Sequence, residues 1–105
     1  MSRTKPQVVI AAPGRIVVSS PLTFETARRV FEAGLRGISR DGSPLIVMDF
    51  ADVPNADSAG LAVLIEWRRQ AWLQGQRLNF ANLPAQISTI AHLSEVSELL
   101  EDVAA

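Results

Sequence analysis

The 105-residue chain contains no cysteine, only one histidine, and no apolar run long enough to cross a bilayer. Without cysteine there can be no disulfide, thiol nucleophile or thiolate metal site. His92 has no second histidine or cysteine to join it in a transition-metal site or a Cys–His pair. It reads instead as a surface or capping residue near the end of a helix. Neither Gly-x-Ser-x-Gly nor either glycine-rich phosphate cradle occurs, so any ATP hydrolysis is expected to belong to a partner. Ten basic residues against eleven acidic ones leave a net charge of -1, which provides no overall field for nucleic acid or an anionic membrane. The first seven residues, Met-Ser-Arg-Thr-Lys-Pro-Gln, lack the apolar stretch of a secretory signal, and the protein reads as soluble and cytoplasmic, without direct membrane insertion. No catalytic residue, metal or cofactor is assigned.

What is present is 48% apolar residues, enough for one core in a single domain over 1–105, with its folded part at about 7–101. Val8-Val9-Ile10 and Ile16-Val17-Val18 flank the turn dipeptide Pro13-Gly14 and read as a hairpin. A first helix is expected from Thr23 or Phe24, with Phe24, Ala27, Val30, Phe31 and Leu35 as its apolar stripe and Gly34 or Gly37 as its end. A polar loop over 37–44 follows. Leu45 to Phe50 is a nearly unbroken apolar run, the pattern of a strand covered on both faces at the centre of a sheet.

A second helix is expected from about Ser58 to Gln74, stopped by Gly75. Arg77 to Leu83 alternates as a strand, with Leu78 and Phe80 on one face. Pro84 suits the first turn of a third helix ending near His92, and Ser94 can cap a short fourth. Glu95, Glu98, Glu101 and Asp102 fit the solvated face of that last helix, with Val96, Leu99 and Leu100 turned inward. The expected order is β-β-α-β-α-β-α-α, an α/β fold with a mixed sheet of about four strands and helices packed on it.

The most informative segment is Asp57-Ser58-Ala59-Gly60. Asp57 and Ser58 are both good helix N-caps, and Gly60 suits close approach by another chain segment. A hydroxyl here stands at the positive end of a helix dipole, where it can be phosphorylated or hydrogen-bond to a partner. The simpler reading is a cap and a packing glycine. Along the second helix Leu61, Leu64, Ile65, Trp67, Ala71 and Trp72 cover about half of the circumference, wider than a core stripe needs. Trp67 lies at one edge of that arc and Ile65 with Trp72 at the other. Either edge can carry an aromatic anchor, or both tryptophans can sit at the core margin. Arg28, Arg29, Arg36, Arg68, Arg69 and Arg77 alternate with Glu25, Glu32 and Glu66, which reads as solvated helix faces.

Val47 to Leu64, with Asp49, Val53 and Asp57-Ser58-Ala59-Gly60-Leu61, resembles the central motif of STAS domains, the module of anti-sigma-factor antagonists and of sulfate-transporter tails. Ser20-Pro21-Leu22-Thr23-Phe24 before the first helix and Gly75 with Arg77-Leu78 after the second are looser matches. In that family the phosphorylatable serine stands immediately before the motif glycine, where this chain has Ala59. Asp-Ser-Ala-Gly-Leu-Ala is more similar to the STAS subunits of Mla phospholipid-transport ABC systems. That resemblance implies an accessory subunit on the cytoplasmic ATPase, in complex with a membrane permease, with Ser58 of the Asp57-Ser58-Ala59-Gly60-Leu61 motif as the functional hydroxyl; Ile65 and Trp72, at one edge of the helix arc, are expected to extend the partner-binding surface. The more distant resemblance implies an anti-sigma-factor antagonist phosphorylated at Ser58 by an anti-sigma-factor kinase.

Overall fold

The computed structural model describes residues 7–94 and Leu100. Two β-branched runs form strands β1 (Val8–Ala12) and β2 (Arg15–Val18), joined antiparallel through a turn in which Gly14 takes φ 77°. Strands β3 (Leu45–Asp49) and β4 (Arg77–Ala81) add in parallel, giving a mixed sheet in the order β1-β2-β3-β4. The helices α1 (Ala27–Asp41), α2 (Ser58–Leu73) and α3 (Ala85–Leu93) complete the order β-β-α-β-α-β-α. The expected fourth helix lies outside the described residues.

Period-two alternation puts Ile16, Val18, Ile46, Met48, Leu78 and Phe80 on one face, where they are buried with Val30, Ile38, Leu64, Trp67 and Ile87 of the helices. The expected double cover of the third strand does not hold. Leu45 is exposed and Val47 only half-buried, because the helices pack together on a single side of the sheet. Val47 lies on the opposite face between Arg15 and Asn79, without a second helical layer over it.

Helix α1 departs furthest from expectation. It begins after Thr26, passes through Gly34 and Gly37 without a break, and ends at Gly42, whose left-handed backbone donates its N–H to the Ile38 carbonyl. Residues 37–41 are therefore helical rather than loop. Gly34 is explained by packing, not termination. The fully buried Trp67 indole lies across its backbone, donating Nε1–H to the Phe31 carbonyl at 2.9 Å, and a Cβ at residue 34 would overlap the ring. Phe50 stacks against the other side of Trp67 at 6.3 Å and meets Phe80 edge-on at 5.6 Å. At the far end, the Asp41 carboxylate accepts the Gly14 and Ser43 N–H groups, and Gln76 Nε2 donates to the Ile38 and Ser43 carbonyls. Helix α1 is thus pinned to the hairpin and to the start of β4.

Gly34→Ala and Gly37→Ala separate these roles. Alanine normally favours a helix interior by up to about 1 kcal/mol over glycine. At residue 37 the nearest side-chain atom to a new Cβ is Ile16 Cδ1 at 3.5 Å, an ordinary contact, so Gly37→Ala should leave stability unchanged or raised. At residue 34 the overlap with Trp67 should reverse the sign and cost about 1–3 kcal/mol. Urea unfolding of the two variants beside the parent protein checks the opposite signs.

Candidate functional site

The segment between β3 and α2 is clasped to the segment between β2 and α1. Leu22 donates its N–H to the Asn55 carbonyl at 2.9 Å, and its own carbonyl accepts the Asp57 N–H at 3.0 Å, forming an isolated parallel bridge between Leu22 and Ala56. Asp57 then caps α2. One carboxylate oxygen accepts the Ala59 N–H at 2.9 Å and the other the Phe24 N–H at 3.0 Å. One side chain thereby satisfies an orphan donor of its own helix and a donor from the approach to α1. These N–H groups hold the Asp57 carboxyl below its ordinary range, Phe24 most strongly, while desolvation works the other way.

Gly60 is buried directly beneath this clasp. A Cβ there would collide with the Leu22 carbonyl, stand 2.8 Å from Leu22 Cβ and lie 3.1 Å from Ile87 Cδ1. Asp49, at the end of β3, supports the same edge of the sheet. Its carboxylate accepts the Ala51 N–H at 2.9 Å and the Asn82 amide at 3.0 Å and pairs with the Arg15 guanidinium, which together depress its pKa, the Ala51 bond most.

With Asp57 engaged, Ser58 is the first helical residue and its side chain faces outward. Ala59 is half-buried, and Gly60 and Leu61 are buried, so these three support the turn rather than line its surface. Helical spacing carries the outer face from Ser58 through Ala62, Ile65 and Arg69 to Trp72, at alternating steps of four and three. Ile65 is half-buried, while Trp72 is 73% exposed. Ser58 and Trp72 share a stripe but stand about 21 Å apart along it, at 1.5 Å per residue. The two edges of the apolar arc therefore differ. Trp67 is a core residue, and Trp72 alone is available to a partner.

The structure adds one residue that sequence reasoning placed in the core. Phe24 lies before the first helical turn, its N–H on the Asp57 carboxylate and its side chain 84% exposed. The signal was available in Thr23-x-x-Thr26. Thr26 Oγ1 accepts the Thr23 N–H and donates to the Pro21 carbonyl, a side-chain turn that delays the helix and removes Phe24 from its stripe. Among the described residues no cluster of His, Asp and Glu could hold a metal ion, and no helix is long and apolar enough to cross a membrane.

A four-stranded mixed sheet with an Asp-capped, glycine-seated helix at the carboxyl edge of its parallel strands defines a small α/β module built around that turn. The chain belongs to the STAS domain family. The family model described as "Mlab, STAS domain" matches residues 10–101. No curated protein sequence matches the chain. Among solved structures, a candidate anti-sigma factor antagonist of Thermotoga maritima superposes with a TM-score of 0.71 at 14% identity, covering 95% of this chain and 86% of that one. The phosphorylated form of the Bacillus cell fate determinant SpoIIAA gives 0.64 at 14% identity, with 94% and 91% covered. The murine anion transporter Slc26a9 gives 0.63 at 19% identity over 88% of this chain, which spans 17% of the transporter. At these identities the likeness is one of fold.

The cap has a pH signature. A carboxyl whose folded-state pKa lies below its ordinary value of 3.8 stabilises the fold above that value and ceases to as the pH falls through the depressed one. Asp57→Ala should cost about 1 kcal/mol near neutrality. The gap between Asp57→Ala and the parent should close as the pH falls below 3.8. Asp57→Asn, which keeps a capping oxygen, should lose less. Denaturant unfolding of all three proteins between neutral and acid pH measures the gap directly.

Proposed function

We infer that this STAS domain is a non-enzymatic accessory subunit that docks on the cytoplasmic ATPase of a phospholipid-transporting ABC system and supports its assembly or activity. The observation that carries this reading is the exposed Ser58 at the head of a stripe running through Ile65 to Trp72, next to the Asp57 carboxylate that holds the N–H of the exposed Phe24. The family description that matches residues 10–101 supports the same partner class. Asp57, Ala59, Gly60 and Leu61 position the contact, and Ser58, Phe24, Ile65 and Trp72 make it. Exposed aromatic side chains on a rigid helical scaffold are the groups that anchor protein interfaces. Binding raises the ATPase's competent population only so far as this surface meets that conformation better than the others. The protein then sits at the inner membrane through its partner.

One observation favours a second reading, an anti-sigma-factor antagonist switched by phosphorylation. Ser58 is an exposed hydroxyl at a helix N-terminus, where added negative charge is accommodated. The absence of a hydroxyl at Ala59, immediately before Gly60, favours the adaptor.

Co-purification and calorimetry with the ATPase subunit of a phospholipid-transporting ABC system test the assignment. Ser58→Ala should weaken association only slightly. Phe24→Ala and Trp72→Ala should each weaken it about tenfold, the effect of truncating an anchor residue. Ser58→Glu should abolish it, and unchanged association and lipid transport in that variant would exclude the docking role. Stoichiometric phosphate on Ser58 after incubation with a cognate serine kinase, read by mass spectrometry, would establish the switch instead.

A further inference from the structure

Away from the turn, the outer edge of the sheet carries a second surface. Strand β1 is the terminal strand, and its five residues, Val-Val-Ile-Ala-Ala, include no charge and no proline. The Gln7 carbonyl accepts the Ser19 N–H at 2.9 Å. Antiparallel pairs alternate between bonded and non-bonded. With Val8 opposite Val18 and Ile10 opposite Ile16, this alternation turns the N–H and C=O groups of Val8 and Ile10 away from β2. They are main-chain donors and acceptors in strand geometry with no neighbouring strand among the described residues.

Natural sheets protect such an edge with a lysine, a proline or an inward charge, and β1 has only the irregularity between Ile10 and Ala12. Alongside it runs α1. Arg29, Ala33, Arg36 and Arg40 recur at steps of four, three and four, which puts the three arginines on one stripe. Val8, Val9, Ile10, Ala33, Gly37, Arg36 and Arg40 together line a groove of about 620 Å³ between strand and helix. Among the described residues none of the three arginines has an acidic partner, since Glu32 pairs with Arg28.

We propose that this groove is a strand-addition site for an extended acidic peptide segment of a protein partner. The peptide's backbone continues the sheet on β1, and its carboxylates at alternate positions meet Arg36, Arg40 and Arg29. Alternation supplies the match. A strand added to β1 directs every second side chain to the helix side of the sheet, where the arginines stand above an apolar floor. The charge pattern selects this occupant over two others. A second copy pairing through its own β1 about a two-fold axis brings its α1 beside this one and sets three arginines against three. An anionic lipid surface neutralises the arginines, but its headgroups present no main-chain ladder at the spacing of the outward N–H and C=O groups of Val8 and Ile10. A peptide strand supplies donors and acceptors in that register together with negative charge.

The test uses the full chain and a labelled peptide of alternating valine and glutamate, with a valine–lysine peptide of the same length as control. Fluorescence anisotropy should show saturable binding of the glutamate peptide, and hydrogen exchange should show new protection at Val8 and Ile10. Arg36→Glu/Arg40→Glu should weaken binding by on the order of tenfold, as expected for reversing two exposed charge contacts. Ile10→Pro removes only an outward N–H, which an edge strand tolerates, and should abolish binding while preserving the fold by circular dichroism. Equal binding of the lysine peptide, unaltered binding by either variant, or no binding of the glutamate peptide up to about 1 mM overturns the proposal. So does flotation with phosphatidylglycerol vesicles that Ile10→Pro does not affect, or a concentration-dependent dimer that Ile10→Pro dissolves.

Discussion

The close approach of Leu22 and Gly60 organises the end of this molecule at which α2 begins. The Leu22 carbonyl accepts the Asp57 N–H and lies where a Cβ of residue 60 would stand, so α2 can start against the β2–α1 segment only if residue 60 has no side chain. The helix N-terminus is then fixed at a bonded edge of the fold instead of floating on a loop. The Asp57 carboxylate can cap α2 and hold the Phe24 N–H at the same time. Because that carboxylate caps the helix through the Ala59 N–H, the neighbouring Ser58 is not the cap and stands exposed at the first helical position.

A second close approach, Trp67 over Gly34, sets the rotation of the same helix. Burying the indole against α1, with Phe50 stacked behind it, leaves the opposite side of α2 facing outward. Ser58, Ala62, Ile65, Arg69 and Trp72 fall on that side. Position and rotation of the outer face of α2 are therefore both decided by a glycine that admits a neighbour, Gly60 in the first turn of α2 and Gly34 in the middle of α1. The electrostatics are local. Glu66 pairs with Arg69 beside the stripe, and Asp49 with Arg15 beneath the sheet edge, so the near-neutral chain presents polarity in small, defined patches.

Much of this was legible in the residues. Hairpin, apolar third strand, capped second helix and alternating fourth strand follow from short-range preferences acting over a few residues, and they occur where those preferences put them. The Asp57-Ser58-Ala59-Gly60 segment also announced a cap and a close approach. The end of α1 was misread because glycine ordinarily terminates helices, whereas Gly34 is retained in mid-helix to receive a tryptophan thirty-three positions later in the chain. Phe24 was misread because its spacing fits the α1 stripe, while Thr26 postpones the helix beyond it.

The sequence by itself determined the element order, the α/β class and the turn on which the site is built, since each depends on interactions within one segment. Which tryptophan is core and which is surface, that the Phe24 N–H is held by Asp57, and that Arg36 and Arg40 border the outer edge of β1 were decided only by tertiary structure. Helical periodicity narrows an apolar arc to two edges, but the choice between them belongs to the neighbour that packs there, and that neighbour comes from a distant part of the chain.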